Sequence, residues 1–188
     1  MKQEIRICGF GGQGVVLAGH VLGKAAAAYD GLTAILTQSY GPEARGGAAR
    51  TEVVISDRAI GYPRIVSADV LVAMSQEAFR KFKDDIREHG IVIVDPDLVI
   101  EHEVERKTYL VPSTRIAEEL GNKITANVVM VGALTSITEV VTRDAMMQSV
   151  LETVPARFKD LNRRALEAGF RAGEEARSVE TTLALTGE

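Results

Sequence analysis

The chain has 188 residues, 46% of them hydrophobic, and a formal net charge of −4 at pH 7. That length fits one domain with an ample core, and the interspersed charges give no electrostatic reason to expect nucleic acid or an anionic membrane as partner. A single cysteine excludes an intrachain disulfide and any iron–sulfur cluster held by this chain alone, since a cluster needs about four thiolates.

Glu4 to Cys8 alternates apolar and polar residues and predicts a first strand. No signal peptide is visible in its charged approach, and no apolar run nears the roughly 18 residues of a membrane span, so a cytoplasmic protein is expected. Cys8 reads as a buried strand residue acting as a small hydrophobe. Gly9-Phe10-Gly11-Gly12-Gln13-Gly14 follows at once, and Gly9, Gly11 and Gly14 match the spacing G-x-G-x-x-G. A glycine turn between a strand and a helix presents unpaired N–H groups and a partial positive charge to an anion. The bland alternative is that the glycines only let the helix pack closely on the sheet.

Gln13 to Tyr29 predicts that helix, with Gly19 and Gly23 permitting close approach to the sheet. Asp30-Gly31 is a turn, and Leu32 to Thr37 a second strand. A dinucleotide fingerprint requires an acidic residue at the end of that strand to grip the ribose hydroxyls. The strand instead runs out through Thr37 and Gln38, and Asp30 lies at its other end. This weakens a nicotinamide-cofactor reading, and the absence of Gly-Lys-Ser/Thr removes a P-loop.

Ser39-Tyr40-Gly41-Pro42-Glu43-Ala44-Arg45-Gly46-Gly47 reads as a structured loop at the carboxyl end of the strand, where open α/β sheets place their ligands. Arg45 among small residues can reach a phosphate or a partner carboxylate. Thr51 to Ser56 is a strand antiparallel to the others, and Ala68 to Met74 a buried one. Ser75 is placed to cap a helix through His89, with Phe79, Phe82 and Ile86 on one face and Gly90 as its stop. His89 then sits near a helix C-terminus, complementing the dipole. Strands at Ile91 to Val94 and Thr108 to Val111 follow, then a short helix capped by Ser113 and running to Leu120.

Asn127 to Val141 is apolar nearly all round, as a buried helix should be. Thr142 caps a helix from Arg143 to Val154, and Pro155 opens a last one with Phe158, Leu161, Ala165 and Ala172 on one face. Beyond Arg177 the chain turns polar and simple, so residues 1–177 form one domain and 178–188 a frayed tail. His20, His89 and His102 are too far apart for a metal site, and Ser39 has no identifiable histidine partner, so no catalytic residue is assigned. The fold class expected is α/β: a doubly wound, mostly parallel, Rossmann-like sheet with C-terminal helices.

With both glycine-rich segments in hand, the chain resembles the gamma subunit of 2-oxoacid:ferredoxin oxidoreductases. The resemblance is carried by Gly9 to Val15, Ser39 to Gly47, Ala68 to Ser75 and Ala126 to Ala133, with Leu161-Asn162, Ala165 and Gly169 in the last helix. It implies a complex that oxidatively decarboxylates a 2-oxoacid, 2-oxoglutarate favoured over pyruvate, to an acyl-CoA, with ferredoxin accepting the electrons. It further implies alpha, beta and in some cases delta partner subunits carrying thiamine diphosphate, magnesium and iron–sulfur clusters, and an isolated gamma chain without activity. Gly9, Gly11, Gly12, Gln13 and Gly14, with Ser39, Tyr40, Gly41, Glu43 and Arg45, are the residues expected to contact CoA or to shape its approach. The competing class is a stand-alone nucleotide-binding module or NAD(P)-dependent reductase of the same fold.

Overall fold

The computed structural model describes residues 1–38 and 48–186, with side chains as far as residue 179. In chain order the strands are β1 (Lys2–Phe10), β2 (Thr33–Gln38), β3 (Ala48–Ser56), β4 (Ala68–Ala73), β5 (Ile86–Val94) and β6 (Lys107–Leu110). The helices are α1 (Val15–Lys24), α2 (Gln76–Phe82), α3 (Ser113–Glu119), α4 (Ala126–Thr138), α5 (Arg143–Thr153) and α6 (Lys159–Thr186). Among the described residues the strands form one sheet in the order β2-β3-β1-β4-β5-β6. β3 alone runs against its neighbours, and the β1–β4, β4–β5 and β5–β6 pairs are parallel. The expected mostly parallel α/β sheet is present.

Strand alternation sorts the side chains onto two faces. Ile5, Ile7, Val53, Val70, Val72 and Ile93 join the large core beneath α1, α4, α5 and α6. Cys8, Leu71, Ala73, Val92 and Val94 face the other way, onto Phe79 and Phe82 of α2. All of α4 except Thr138 is buried, and its partner α6 approaches at backbone distance. A Cβ built on Gly132 would lie 2.6 Å from the Leu166 carbonyl oxygen, and one on Gly173 2.6 Å from that of Ala133. A Cβ on Gly169 would overlap the Val129 carbonyl.

Several expectations are corrected. The helix from Ser75 ends at Phe82, and Ile86 to His89 belongs to β5. The Ala68 amide donates to the Asp85 carbonyl at 2.9 Å, and the next residue, Ile86, pairs with Ala68. The chain is therefore committed to the sheet only a few residues past the helix. Phe79, Phe82 and Ile86 do share one buried cluster, but across a helix, a turn and a strand. Gly90 is not a helix stop. It lies in the irregular stretch where the register shifts between Ala68 and Val70, and a Cβ there would crowd the carbonyls of Arg87 and Ala68 at 3.0 and 3.1 Å. His89 is an exposed strand residue, far from any dipole role.

Ser113 does not cap α3 but is its first residue. Its hydroxyl donates at 2.8 Å to Asp95, whose buried carboxylate also accepts the Thr114 amide at 2.8 Å and so caps the helix from a neighbouring strand end. Ser75 and Thr142 cap as expected, accepting from the amides of Ala78 and Ala145. In α1, Gly19 is in close contact with Thr51, whereas a Cβ on Gly23 would meet only Val53 at an ordinary 3.8 Å. After Lys24 the helix widens into a π turn over Ala25–Tyr29. α6 extends past Arg177 to Thr186.

Candidate functional site

The glycine turn leaves the carboxyl end of β1 beside that of β4, at the point where the chain departs to one side toward β2 and later returns on the other side as β4. Ligands of open α/β sheets bind at such switch points. Gln13 closes the turn. Its Oε1 accepts the Phe10 amide at 2.5 Å, and its Nε2 donates at 2.7 Å to the Met74 carbonyl. Gly9 provides the space for this amide, because a Cβ there would collide with Gln13 Oε1. Gly14 is the N-cap of α1 with φ 73°, a conformation that favours glycine. Its carbonyl accepts Asn127 Nδ2 at 3.2 Å, and a Cβ on Gly14 would overlap that same amide.

The predicted site residues therefore divide. Gly9, Gln13 and Gly14 hold the turn to β4 and α4. Gly11 and Gly12 are exposed, and Gly12, at φ 96°, has nothing within 4 Å of where its Cβ would be. The first turn of α1 carries no side-chain cap, so its orphan N–H groups remain available to an anion.

Gly12 stands between two hollows. One, of about 270 Å³, lies between the starts of α1, α4 and α6 and is walled by Leu17, Val154, Phe158 and Leu161, with Asn127 at its polar end. The other, of about 280 Å³, is lined by Gln13, Met74, Thr114 and Lys123. Ile124 lines both and is 82% exposed. The apolar hollow suits a hydrocarbon or amide arm, and Lys123, ion-paired with Glu118 at 3.2 Å, lies on the other side. Asn127, Lys123 and Ile124 were not singled out from sequence. Asn127 carried a signal, being the polar residue at the start of an otherwise apolar helix.

Ser39, Tyr40, Gly41, Glu43 and Arg45 lie outside the described residues. The stems of their segment do not: Gln38 pairs with Thr51, and Ala48 pairs with Phe10 at the start of the glycine turn. Asp30 is committed elsewhere, its carboxylate accepting the amide and hydroxyl of Thr142 at 2.7 Å each. β2 itself ends without a carboxylate, and the one beside Thr37, Glu52 of β3, is taken by Arg6 at 2.8 Å.

Cys8 is fully buried, its thiol donating to the Val72 carbonyl at 3.3 Å. Burial pushes its pKa up to about 12, with the Arg6 charge opposing only in part. The thiolate, the reactive form, is thus absent at neutral pH. A thiol reagent at pH 8 should label the native chain far more slowly than the unfolded chain, and rapid native labelling followed by mass spectrometry would contradict this burial. His20 is exposed and His102 Nδ1 lies 2.9 Å from the Val99 carbonyl oxygen. Among the described residues no three metal-binding side chains cluster, and no helix is long and apolar enough to cross a membrane.

Residues 4–172 match the family described as pyruvate ferredoxin/flavodoxin oxidoreductase. The chain belongs to this family. Within the oxidoreductase family, it is 50% identical over 179 residues to the 2-oxoglutarate synthase subunit KorC of Methanocaldococcus jannaschii, covering 93% of this chain and 96% of that one. The keto/oxoacid ferredoxin oxidoreductase gamma subunit from Geobacter sulfurreducens superposes with a TM-score of 0.87 at 40% identity, over 94% of this chain and 98% of that one. A 2-oxoglutarate:ferredoxin oxidoreductase from Magnetococcus marinus shares the fold at a TM-score of 0.76 and 22% identity, over 97% of this chain but 31% of that longer one. The resemblance drawn from the two glycine-rich segments is confirmed, as is membership of an oxidoreductase family with separate gamma subunits.

Proposed function

We propose that the chain is the gamma subunit of a 2-oxoglutarate:ferredoxin oxidoreductase and that it forms part of the site where CoA approaches the reacting acyl group. The observation that carries the first half is the end-to-end likeness to a 2-oxoglutarate synthase subunit at 50% identity. Partner subunits carry the redox chemistry in this reading, because one buried, protonated cysteine is not a cluster ligand set. Thiamine diphosphate and magnesium are assigned to the same partners, with ferredoxin reached through the complex.

For CoA, the residues present fit the molecule. The uncapped start of α1 favours phosphate oxygens, the exposed backbone at Gly12 admits close approach, and the Leu17–Phe158 hollow accepts an uncharged arm. The related Magnetococcus enzyme was solved with 2-oxoglutarate, coenzyme A and succinyl-CoA bound. The Ser39 to Gly47 segment, attached beside the turn, contributes through Tyr40, Glu43 and Arg45. Binding and orientation are this chain's share of catalysis: it holds the coenzyme while chemistry proceeds on the partners.

The assembled complex carrying Gly12→Asp should assemble normally and show a KM for CoA raised by about tenfold or more, since a carboxylate then faces the phosphate. Arg45→Ala should move the same parameter in the same direction. If CoA kinetics are unchanged in both variants while assembly is intact, the chain is a structural subunit whose glycine turn binds nothing.

A further inference from the structure

The sheet face opposite the glycine-turn hollows carries a second concavity, of about 570 Å³, at the carboxyl end of β2 and the start of β3. Thr37, Gln38, Arg50 and Glu52 form its floor, and Arg64 closes it from the Pro63–Ile65 segment. Beneath it lies a buried charge network. Arg6, 2% exposed, donates from Nε to Glu52 Oε1 at 2.8 Å and from Nη2 to the Ile65 carbonyl at 3.2 Å. The guanidiniums of Arg6 and Arg50 both lie over the Phe82 ring, at 5.1 and 5.4 Å from its centroid. Stacking of this kind fixes a guanidinium's plane without using its donors.

The charge does not balance at the cleft. Arg6 is shared between Glu52 at 2.8 Å and Asp85 at 3.3 Å, and Arg50 Nε stands 3.8 Å from Glu52, beyond hydrogen-bond length, so with Arg64 three guanidiniums meet two carboxylates. Arg50 is 38% exposed at its side chain, held in place by Phe82 and with its fork otherwise unspent. Arg64, which also lines the cleft, is exposed and forms no ion pair among the described residues. Arg50 and Arg64 thus line one concavity together with Thr37 and Gln38, in a chain whose net charge is −4.

We propose that this cleft binds a phosphorylated small molecule through Arg50 and Arg64, at a site separated by the sheet from the glycine-turn hollows. The volume suits a ligand of nucleotide size rather than a lone ion, and paired guanidinium forks match a multivalent phosphate. The buried Arg6–Glu52 pair positions the floor and does not touch the ligand. Phosphate of this kind is carried both by the nucleotide half of CoA and by free nucleotides.

Inorganic pyrophosphate titrated into the full chain, followed by calorimetry and by amide chemical shifts, tests the assignment. The expected result is saturable binding with shifts at Thr37, Gln38 and Arg50, weakened about tenfold or more by Arg50→Gln and by Arg64→Gln. Arg164→Gln, on the exposed surface of α6, should leave it unchanged. Displacement of pyrophosphate by CoA would identify the cleft as holding the coenzyme's own phosphates, and displacement by ADP but not CoA would identify a separate nucleotide. Absence of binding, equal weakening by Arg164→Gln, shifts confined to Gly11 to Val15, or tighter binding of the tricarboxylate tricarballylate would overturn the proposal.

Discussion

Glu52→Ala should destabilise the chain by about 3–5 kcal/mol, the effect of stripping one partner from a buried ion pair. Arg6 and Glu52 have side chains only 2% and 7% exposed. Without Glu52 the Arg6 guanidinium keeps the Ile65 carbonyl, the Phe82 ring and a 3.3 Å contact to Asp85, which is itself half exposed. None of these replaces a buried carboxylate at 2.8 Å. Glu52→Gln should cost less, because the amide oxygen still accepts from Arg6 Nε while the amide NH2 can donate to the Thr37 hydroxyl in place of accepting from it. Urea denaturation of the three proteins measures the order, and equal stability of Glu52→Ala and the parent would show that the pair is already solvated. Replacing Arg6 and Glu52 together by Met and Leu should recover much of the loss, since the desolvation cost disappears along with the attraction.

The second large effect concerns glycines that look alike in sequence and differ in space. Gly169→Ala should lower stability by about 3 kcal/mol, because the new methyl overlaps the Val129 carbonyl and has only Gly132 backbone beside it, with no side chain to rotate away. For a domain of this size that is a fall in Tm of roughly 6–12 °C. Gly23→Ala should instead stabilise by up to about 1 kcal/mol. Its methyl would sit 3.8 Å from Val53, and alanine restores the helix propensity that glycine lacks. Thermal scans of the two variants read the sign directly, and destabilisation of similar size in both would mean that the α4–α6 contact is not the tight one.

The contrast between Gly23 and Gly169 shows where sequence reasoning reaches its limit. Alternation placed β1 and β3, and continuous apolar runs placed β4 and α4, which are buried on nearly every side. The end of α2 was misread because Phe79, Phe82 and Ile86 keep helical spacing while a Lys83-Asp84-Asp85 turn intervenes, and a period alone cannot say that the third residue has crossed into the sheet. Arg6 and Glu52 are 46 positions apart and become partners only through the β1–β3 register. Asp95 reads as a turn residue before Pro96, and its capping of α3 depends on β5 and α3 meeting in space. Of the candidate site, the glycine turn was legible as a local motif. Lys123, Ile124 and the walls of the apolar hollow were not, since they come from separate helices and turns.

The reversal of β3 has a consequence for how such subunits diversify. Were β2 and β3 parallel, their connection would cross the length of the sheet and carry core-forming residues. As neighbours running in opposite directions, they instead leave Gln38 and Ala48 at one end, beside Phe10. Doubling the length of the segment between them would add only about 0.6 kcal/mol of closure entropy. Changes in the length of this segment can therefore be accommodated at one end of the sheet at little cost in closure entropy.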